Sequence, residues 1–191
     1  DPWKILLIEV IAQQTQLDRA NKYYQKFIKK FPSPSEMAKA SKKEILKMWS
    51  GLGYNSRAIR LHEASKILSK SSFDSIYPDF DVLPGVGEYT KNALLSFAYN
   101  DKVITQDTNV LRVFSRFFGT KDPKKFILEN QKNILKNIKS RKFNEVLMDF
   151  GSKICTSKNP SCNICIFDNE CKKFIQVKQS PQPTFKGSDR E

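Results

Sequence analysis

The chain has 191 residues, 39% of them hydrophobic and 28% charged, a size for one domain or two small ones and a composition that excludes wholesale disorder and a collagen-like chain. No apolar run approaches the roughly 20 residues needed to span a bilayer, and Lys4 is followed by only a short apolar stretch that meets Glu9, so no export signal is read and an intracellular, cytoplasmic protein is expected. The 33 Lys and Arg against 20 Asp and Glu leave a net charge of +13, which draws such a molecule to polyanions, nucleic acid first among them.

Apolar residues recur at spacings of three and four, as in Ile5, Ile8 and Ala12 or in Ile45, Met48, Trp49 and Leu52, a pattern that predicts an all-α chain of roughly eight helices. The first helix carries Glu9 among Ile5, Leu6 and Ala12. Burial there would raise the carboxyl pKa and keep a proton ready for donation, the profile of a general acid; the wet edge of an amphipathic helix is the plainer role. The FPSPS break at 31–35 ends the next helix, Ser35 is expected to open another, and Ser41 with Glu44 forms a capping box ahead of Ile45.

Gly51-Leu52-Gly53 ahead of Leu61 is echoed 34 residues on by Gly85-Val86-Gly87 ahead of Leu95, as two related helical hairpins or two like turns would be. In LPGVG the proline discourages helix before it, and the glycines permit the positive backbone angles of a tight turn. The helix that starts there presents unpaired amides to an anion, and a nucleic-acid backbone could approach Gly85 and Gly87 closely. The hairpin lacks the lysine and hydroxyl of a phosphate-loop nucleotide site.

Asp107 stands just before the apolar helix of Leu111, Val113, Phe114 and Phe117. It is placed to cap that helix, a role that also keeps a carboxylate rigid and ionised. All four cysteines follow within 17 residues, as Cys155-x6-Cys162-x2-Cys165-x5-Cys171. Clustered thiols without an export signal point to a metal, and the spacing suits zinc or an iron–sulfur cluster equally. The polar, proline-bearing stretch after Phe174 reads as a tail or linker.

Taken together, LPGVGEYT at 83–90, QDTNVLRV at 106–113 and the cysteine run resemble the helix-hairpin-helix DNA glycosylases. EVIAQQTQ at 9–16 and GLGYNSR at 51–57 bring the chain nearest to the MutY-like adenine glycosylases. The resemblance implies an all-α, two-lobed fold: a six-helix domain at 3–103 with the hairpin, a [4Fe–4S] cluster domain at 104–175 on Cys155, Cys162, Cys165 and Cys171, and a tail at 176–191. It also implies a monomer that flips an adenine from mismatched double-stranded DNA, with Glu9 protonating the base, Asp107 stabilising the sugar cation, and Tyr89 and Asn109 lining the pocket. Gln14 and Tyr54 match residues that wedge into the base stack, and Thr15 matches one that contacts the opposite base. Gly85, Val86, Gly87 and Thr90 belong to the hairpin that would hold the DNA backbone. Tyr89 stands where endonuclease III-like relatives have a Schiff-base lysine, and Lys91 is expected to point away, so hydrolysis without strand cleavage is implied. The thymine and uracil mismatch glycosylases share most of these residues, and a cluster-stabilised DNA-binding module without catalysis is the remaining alternative.

Overall fold

The computed structural model describes residues 1–173, and every regular element among them is helical. The nine α-helices of the described residues are α1 (Pro2–Ala12), α2 (Leu17–Lys30), α3 (Pro34–Lys39), α4 (Lys42–Trp49), α5 (Ser56–Lys70), α6 (Glu88–Tyr99), α7 (Thr108–Phe118), α8 (Pro123–Ile134) and α9 (Ser140–Lys153). Single turns of 3-10 helix lie at Phe80–Val82 and Cys162–Ile164. Among the described residues this is one helix more than the rough count of eight, and the shortest, α3, has six residues. The predicted tail at 176–191 lies outside the described residues.

Side chains set most of the helix starts. The Asp1 carboxylate accepts from the amides of Trp3 and Lys4 with Pro2 in the first turn, where proline's missing N–H and fixed φ are no handicap. The cap of α3 is Ser33, whose Oγ accepts from Glu36 N at 3.3 Å ahead of Pro34; Ser35, expected to open this helix, lies inside its first turn, because the proline already occupies the first helical position. Ser41 caps α4 as expected, with Glu44 N donating to its Oγ at 3.1 Å.

Contacts divide the described residues into two units, Asp1–Thr105 with Gln131–Asn144, and Gln106–Asn130 with 145–173. The sequence suggested a single cut near 104; residues 131–144 instead group with the first unit. Asn144 is the physical reason. Fully buried, it accepts from the amide and hydroxyl of Thr105 at 2.9 and 3.1 Å, and its Nδ2 donates to Ser96 Oγ at 2.8 Å and Val103 O at 2.9 Å. Lys102 adds Nζ bonds to the carbonyls of Leu135 at 2.6 Å and Ile138 at 2.8 Å, where α8 runs out.

The first unit is built around Trp3, Leu6, Leu7, Ile11, Phe27, Trp49 and Leu61, all buried. Apolar residues cover most of the surface of α1, so this helix lies inside the unit rather than on its flank. In the second unit, Phe114, Phe118 and Phe126 stack within 6.3 Å of one another, and Phe167 from the cysteine-bearing segment packs edge-on against Phe117 and Phe150. Among the described residues no helix is long and apolar enough to cross a membrane.

His62, the chain's one histidine, is buried in α5 beside the Ala38–Ala40 end of α3. Burial first and Lys66 second pull its pKa below the usual histidine value, against smaller opposing effects from the backbone of Ala38 and Ala40 and from Glu63. The unfolded chain therefore binds this proton more readily than the folded one, and stability rises with pH between the two pKa values. A melting temperature that falls as pH is lowered from about 7 through the unfolded histidine value of about 6.5 is expected, with the slope in that window flattened in His62→Gln; an identical slope in both proteins would refute the assignment.

Candidate functional site

The first unit gathers three loops around the start of α5. Arg57, in the first turn of that helix, points its guanidinium back at the C-terminal end of α1: Nη1 donates to the carbonyls of Val10 at 3.1 Å, Ile11 at 3.3 Å and Gln13 at 2.5 Å. Nη2 donates to Leu52 O at 3.1 Å and Gly53 O at 3.3 Å. The last carbonyls of a helix lack internal partners and carry the negative end of its dipole, so a cation with a planar fork suits this place. The loss of water that accompanies this burial draws the Arg57 pKa down, with Tyr54 opposing.

The other two loops lean on the same helix. Trp49 Nε1 donates to Gly53 O at 2.9 Å, and Tyr23 OH donates to Ser50 O at 2.6 Å. Gly51 has φ +97°, and a methyl group there would meet the Tyr23 hydroxyl at 2.6 Å, so position 51 favours glycine. Gly85 has φ +85° and backs onto Arg60, whose Cβ would lie 3.1 Å from a methyl group at that position.

Within this frame, Gln14 and Tyr54 both protrude, and both adopt left-handed backbone conformations, φ +51° and +47°. Tyr54 leaves 67% of its surface exposed. Such angles cost a non-glycine residue about 1 kcal/mol or more, and persist where the surroundings over-determine them. Thr15 is half-buried, its hydroxyl donating to Gln13 O at 3.1 Å.

Gly87 has φ −95° and is the N-cap of α6 with no side-chain capping bond. Of the two hairpin glycines, which permit positive angles, Gly85 alone takes one. Gly87 matters through openness instead, since a methyl group there would meet nothing within 4 Å. Val86 and Thr90 are buried and Tyr89 half-buried around that first turn. Lys91 Nζ bonds Asp81 Oδ1 at 2.6 Å, with Asp79 at 3.9 Å, so its ammonium is engaged by carboxylates. Glu9 is half-buried on α1, next to the buried Val10.

In the second unit, Asp107 is the N-cap of α7: Oδ1 accepts from Val110 N at 2.6 Å, and Oδ2 accepts from Asn109 Nδ2 at 3.2 Å. Asn109 is itself held, because its Oδ1 accepts from Arg112 Nη2 at 2.7 Å. Arg112 also donates to Gly151 O at 2.6 Å and, through Nε, to Cys155 O at 2.8 Å. One turn on, Arg116 Nη1 donates to Thr156 O at 2.7 Å and Cys155 Sγ at 3.4 Å, while Cys171 Sγ donates to Arg116 O at 3.5 Å. Gly151 permits the close approach: a methyl group there would lie 2.8 Å from Asn109 Cβ.

The four thiols are free and half-buried. Burial and then the neighbouring Cys155, Cys165 and Cys171 push the Cys162 thiol up, with Arg116 opposing, so the sulfurs share one neighbourhood. Among the described residues no group of three or more His, Cys, Asp or Glu side chains is placed to hold a single metal ion. Arg57, Arg112, Arg116 and Gly151 were missed in the sequence; the spacing of four between the two arginines on α7 is the one signal that could have flagged a shared face.

A family model described as HhH-GPD superfamily base excision DNA repair protein matches residues 7–136. The chain is 37% identical over 189 residues to an adenine DNA glycosylase of Buchnera aphidicola subsp. Baizongia pistaciae, covering 93% of this chain and 53% of that protein. It is 35% identical over 176 residues to one of Mycobacterium tuberculosis, covering 87% and 58%. The chain thus spans about half the length of the curated relatives it matches, 53% and 58% of these two. Among solved structures, a thermostable thymine-DNA glycosylase superposes with a TM-score of 0.82 at 30% identity, covering 92% of this chain and 85% of that one. A non-covalent endonuclease III–DNA complex superposes at 0.74 with 23% identity, covering 94% and 87%, a likeness of fold alone.

Replacing Arg112 by leucine strands the acceptors on Asn109, Gly151 and Cys155, each worth about 1–3 kcal/mol where buried. A loss of roughly 2–4 kcal/mol in denaturant melts is expected, with faster hydrogen exchange at the Val110 amide as the Asp107 turn loosens. Unchanged Val110 exchange would show that Arg112 does not steady that turn.

Proposed function

The chain belongs to the HhH-GPD superfamily of base excision DNA repair proteins, and from that premise we propose that it is the catalytic body of a monofunctional adenine DNA glycosylase. The observation that carries the reading is Asp107, a carboxylate fixed at the N-terminus of α7 by Val110 N and Asn109. Adenine as the target rests on similarity to proteins named adenine DNA glycosylase along most of the chain.

An adenine stacked in duplex DNA is out of reach and must be extruded, at a cost of a few kcal/mol. Gln14 and Tyr54 wedge into the stack and replace part of what is lost, and Thr15 faces the opposite base. Gly85, Val86, Gly87 and Thr90 hold the backbone, a phosphate taking the open amides of α6. Glu9 then protonates the purine, so that the electron pair of the breaking N-glycosidic bond leaves on a neutral base. Positive charge grows on the sugar and Asp107 stabilises it; Tyr89 and Asn109 are the further residues that family likeness assigns to the nucleotide. A water adds to the sugar carbon, releases a proton, and leaves an abasic site. Strand cleavage through a Schiff base is not part of this chemistry, because Tyr89 carries no amine and Lys91 is spent on Asp81.

Cys155, Cys162, Cys165 and Cys171 fit a [4Fe–4S] cluster. Each thiolate would bind a different iron, so the sulfurs need to surround a volume rather than converge on a point, in keeping with four free thiols that influence one another. When bound, the cluster supplies a cross-link that stiffens the segment held by Arg112 and Arg116. Mismatched double-stranded DNA is the partner, bound by a monomer in the cytoplasm. A second reading, thymine excision from T:G pairs, is favoured by the superposition on the thymine-DNA glycosylase.

An assay over duplexes with A:8-oxoguanine, A:G, T:G and U:G pairs decides between the two. Free adenine and an alkali-labile abasic product are expected, with no borohydride-trapped adduct. Glu9→Gln and Asp107→Asn should each slow release by about 10²-fold or more. Asparagine caps a helix as well as aspartate, so Asp107→Asn should melt within about 0.5 kcal/mol of the parent. Release of thymine or uracil in place of adenine would move the assignment to the second reading.

A further inference from the structure

Gln14 and Tyr54 are 40 positions apart, yet one side chain fixes the backbone of both. Arg57 bonds the Gln13 carbonyl, immediately before Gln14, and the Gly53 carbonyl, immediately before Tyr54. Its guanidinium also lies 5.1 Å from the Trp49 ring and 5.7 Å from the Tyr54 ring, so the aromatic side chain is steered as well as its backbone. The two protruding residues hold left-handed angles that an unconstrained loop would abandon. Trp49, Tyr23 and Arg19 bond the 50–53 turn, and Thr15 bonds Gln13 O through its hydroxyl and Ala12 O through its amide within the first loop, whereas the Arg57 side chain reaches both loops at once.

We propose that Arg57 is a positioning residue that sets Gln14 and Tyr54 at a fixed separation, and so determines how well the protein opens the base stack rather than how tightly it holds DNA. The inference rests on the wedge role given to those two residues in the proposed function. A lysine cannot replace it. A single ammonium keeps the charge but lacks the planar fork that reaches both loops at once.

The test is a double-mutant cycle of Arg57→Lys and Tyr54→Ala, read by fluorescence of 2-aminopurine placed opposite 8-oxoguanine and by duplex affinity, with adenine release measured in parallel. Thermal melts of each variant, and Arg57→Gln as a second substitution that removes the charge, separate local misplacement from unfolding. Arg57→Lys is expected to lower the fluorescence rise about tenfold while duplex affinity changes less than about threefold. In the Tyr54→Ala background the same substitution should have little further effect, because the two act through one wedge.

Equal effects of Arg57→Lys in both backgrounds would overturn the proposal, since a residue serving the fold alone adds its cost regardless of Tyr54. So would parallel losses of affinity and fluorescence in both Arg57 variants. Coupled fluorescence losses in a parent protein that releases no base would sink the glycosylase reading and leave the positioning role standing. A parent protein that neither extrudes 2-aminopurine nor releases adenine would sink both.

Discussion

The carboxylate of Asp107 against the Val110 amide, at 2.6 Å, is the interaction on which the proposed chemistry depends. A helix N-terminus offers unpaired amides and the positive end of a dipole, so a carboxylate there is both the natural cap and a negative charge that stays put. Capping and charge stabilisation make the same demands on this side chain. The neighbouring Asn109 is poised by the same logic: it donates to Asp107 and accepts from Arg112, which fixes the orientation of its amide. Because Arg112 also holds the Cys155 carbonyl, the cap and the first cysteine share one short chain of hydrogen bonds within the second unit. Order in the cysteine-bearing segment and order in the α7 cap are therefore linked through Arg112.

Guanidinium groups reaching carbonyl oxygens recur in both units. Arg57 collects the end of α1 and the 52–53 turn, and Arg112 and Arg116 collect the end of α9 and the segment after it. A planar fork can satisfy several carbonyls that have run out of helical partners, and it loses less conformational freedom per bond than a flexible ammonium. Several of the cations behind the net charge are thus internal struts. Lys91 is taken up by Asp81 and Lys102 by two carbonyls. The charge surplus overstates how many side chains are left to meet a polyanion.

What could be read from the sequence was local. Periodicity found the helices, the Ser41–Glu44 spacing found a cap, and Asp107 ahead of an apolar run found another, because each signal lies within a few residues of its consequence. The start of α3 was misplaced by two residues, since two serines flank Pro34 and nothing local says which one turns its hydroxyl inward. The glycines of LPGVG were read as permitting positive φ, a freedom that Gly85 uses and Gly87 does not, since as the N-cap of α6 Gly87 takes φ −95° and leaves the first turn uncovered. The arginine bridges were invisible: Arg57 and Val10 are 47 positions apart, and only the fold brings them together. Asn144 was invisible for the same reason, and with it the return of 131–144 to the first unit. Candidate residues found through family likeness, Gln14 and Tyr54 among them, acquired a physical signature only in three dimensions, as non-glycine residues held at positive φ.

The most direct test of the account is a crystal structure of the protein with a duplex carrying a cationic pyrrolidine in place of the target deoxyribose, a mimic of the sugar cation. The account predicts an extruded nucleotide with Asp107 within about 3 Å of the charged ring nitrogen, its bond to Val110 N retained, and Glu9 facing the position of the departing base. A structure with the pyrrolidine left in the helix, or with Asp107 and Glu9 directed at different places, would contradict it.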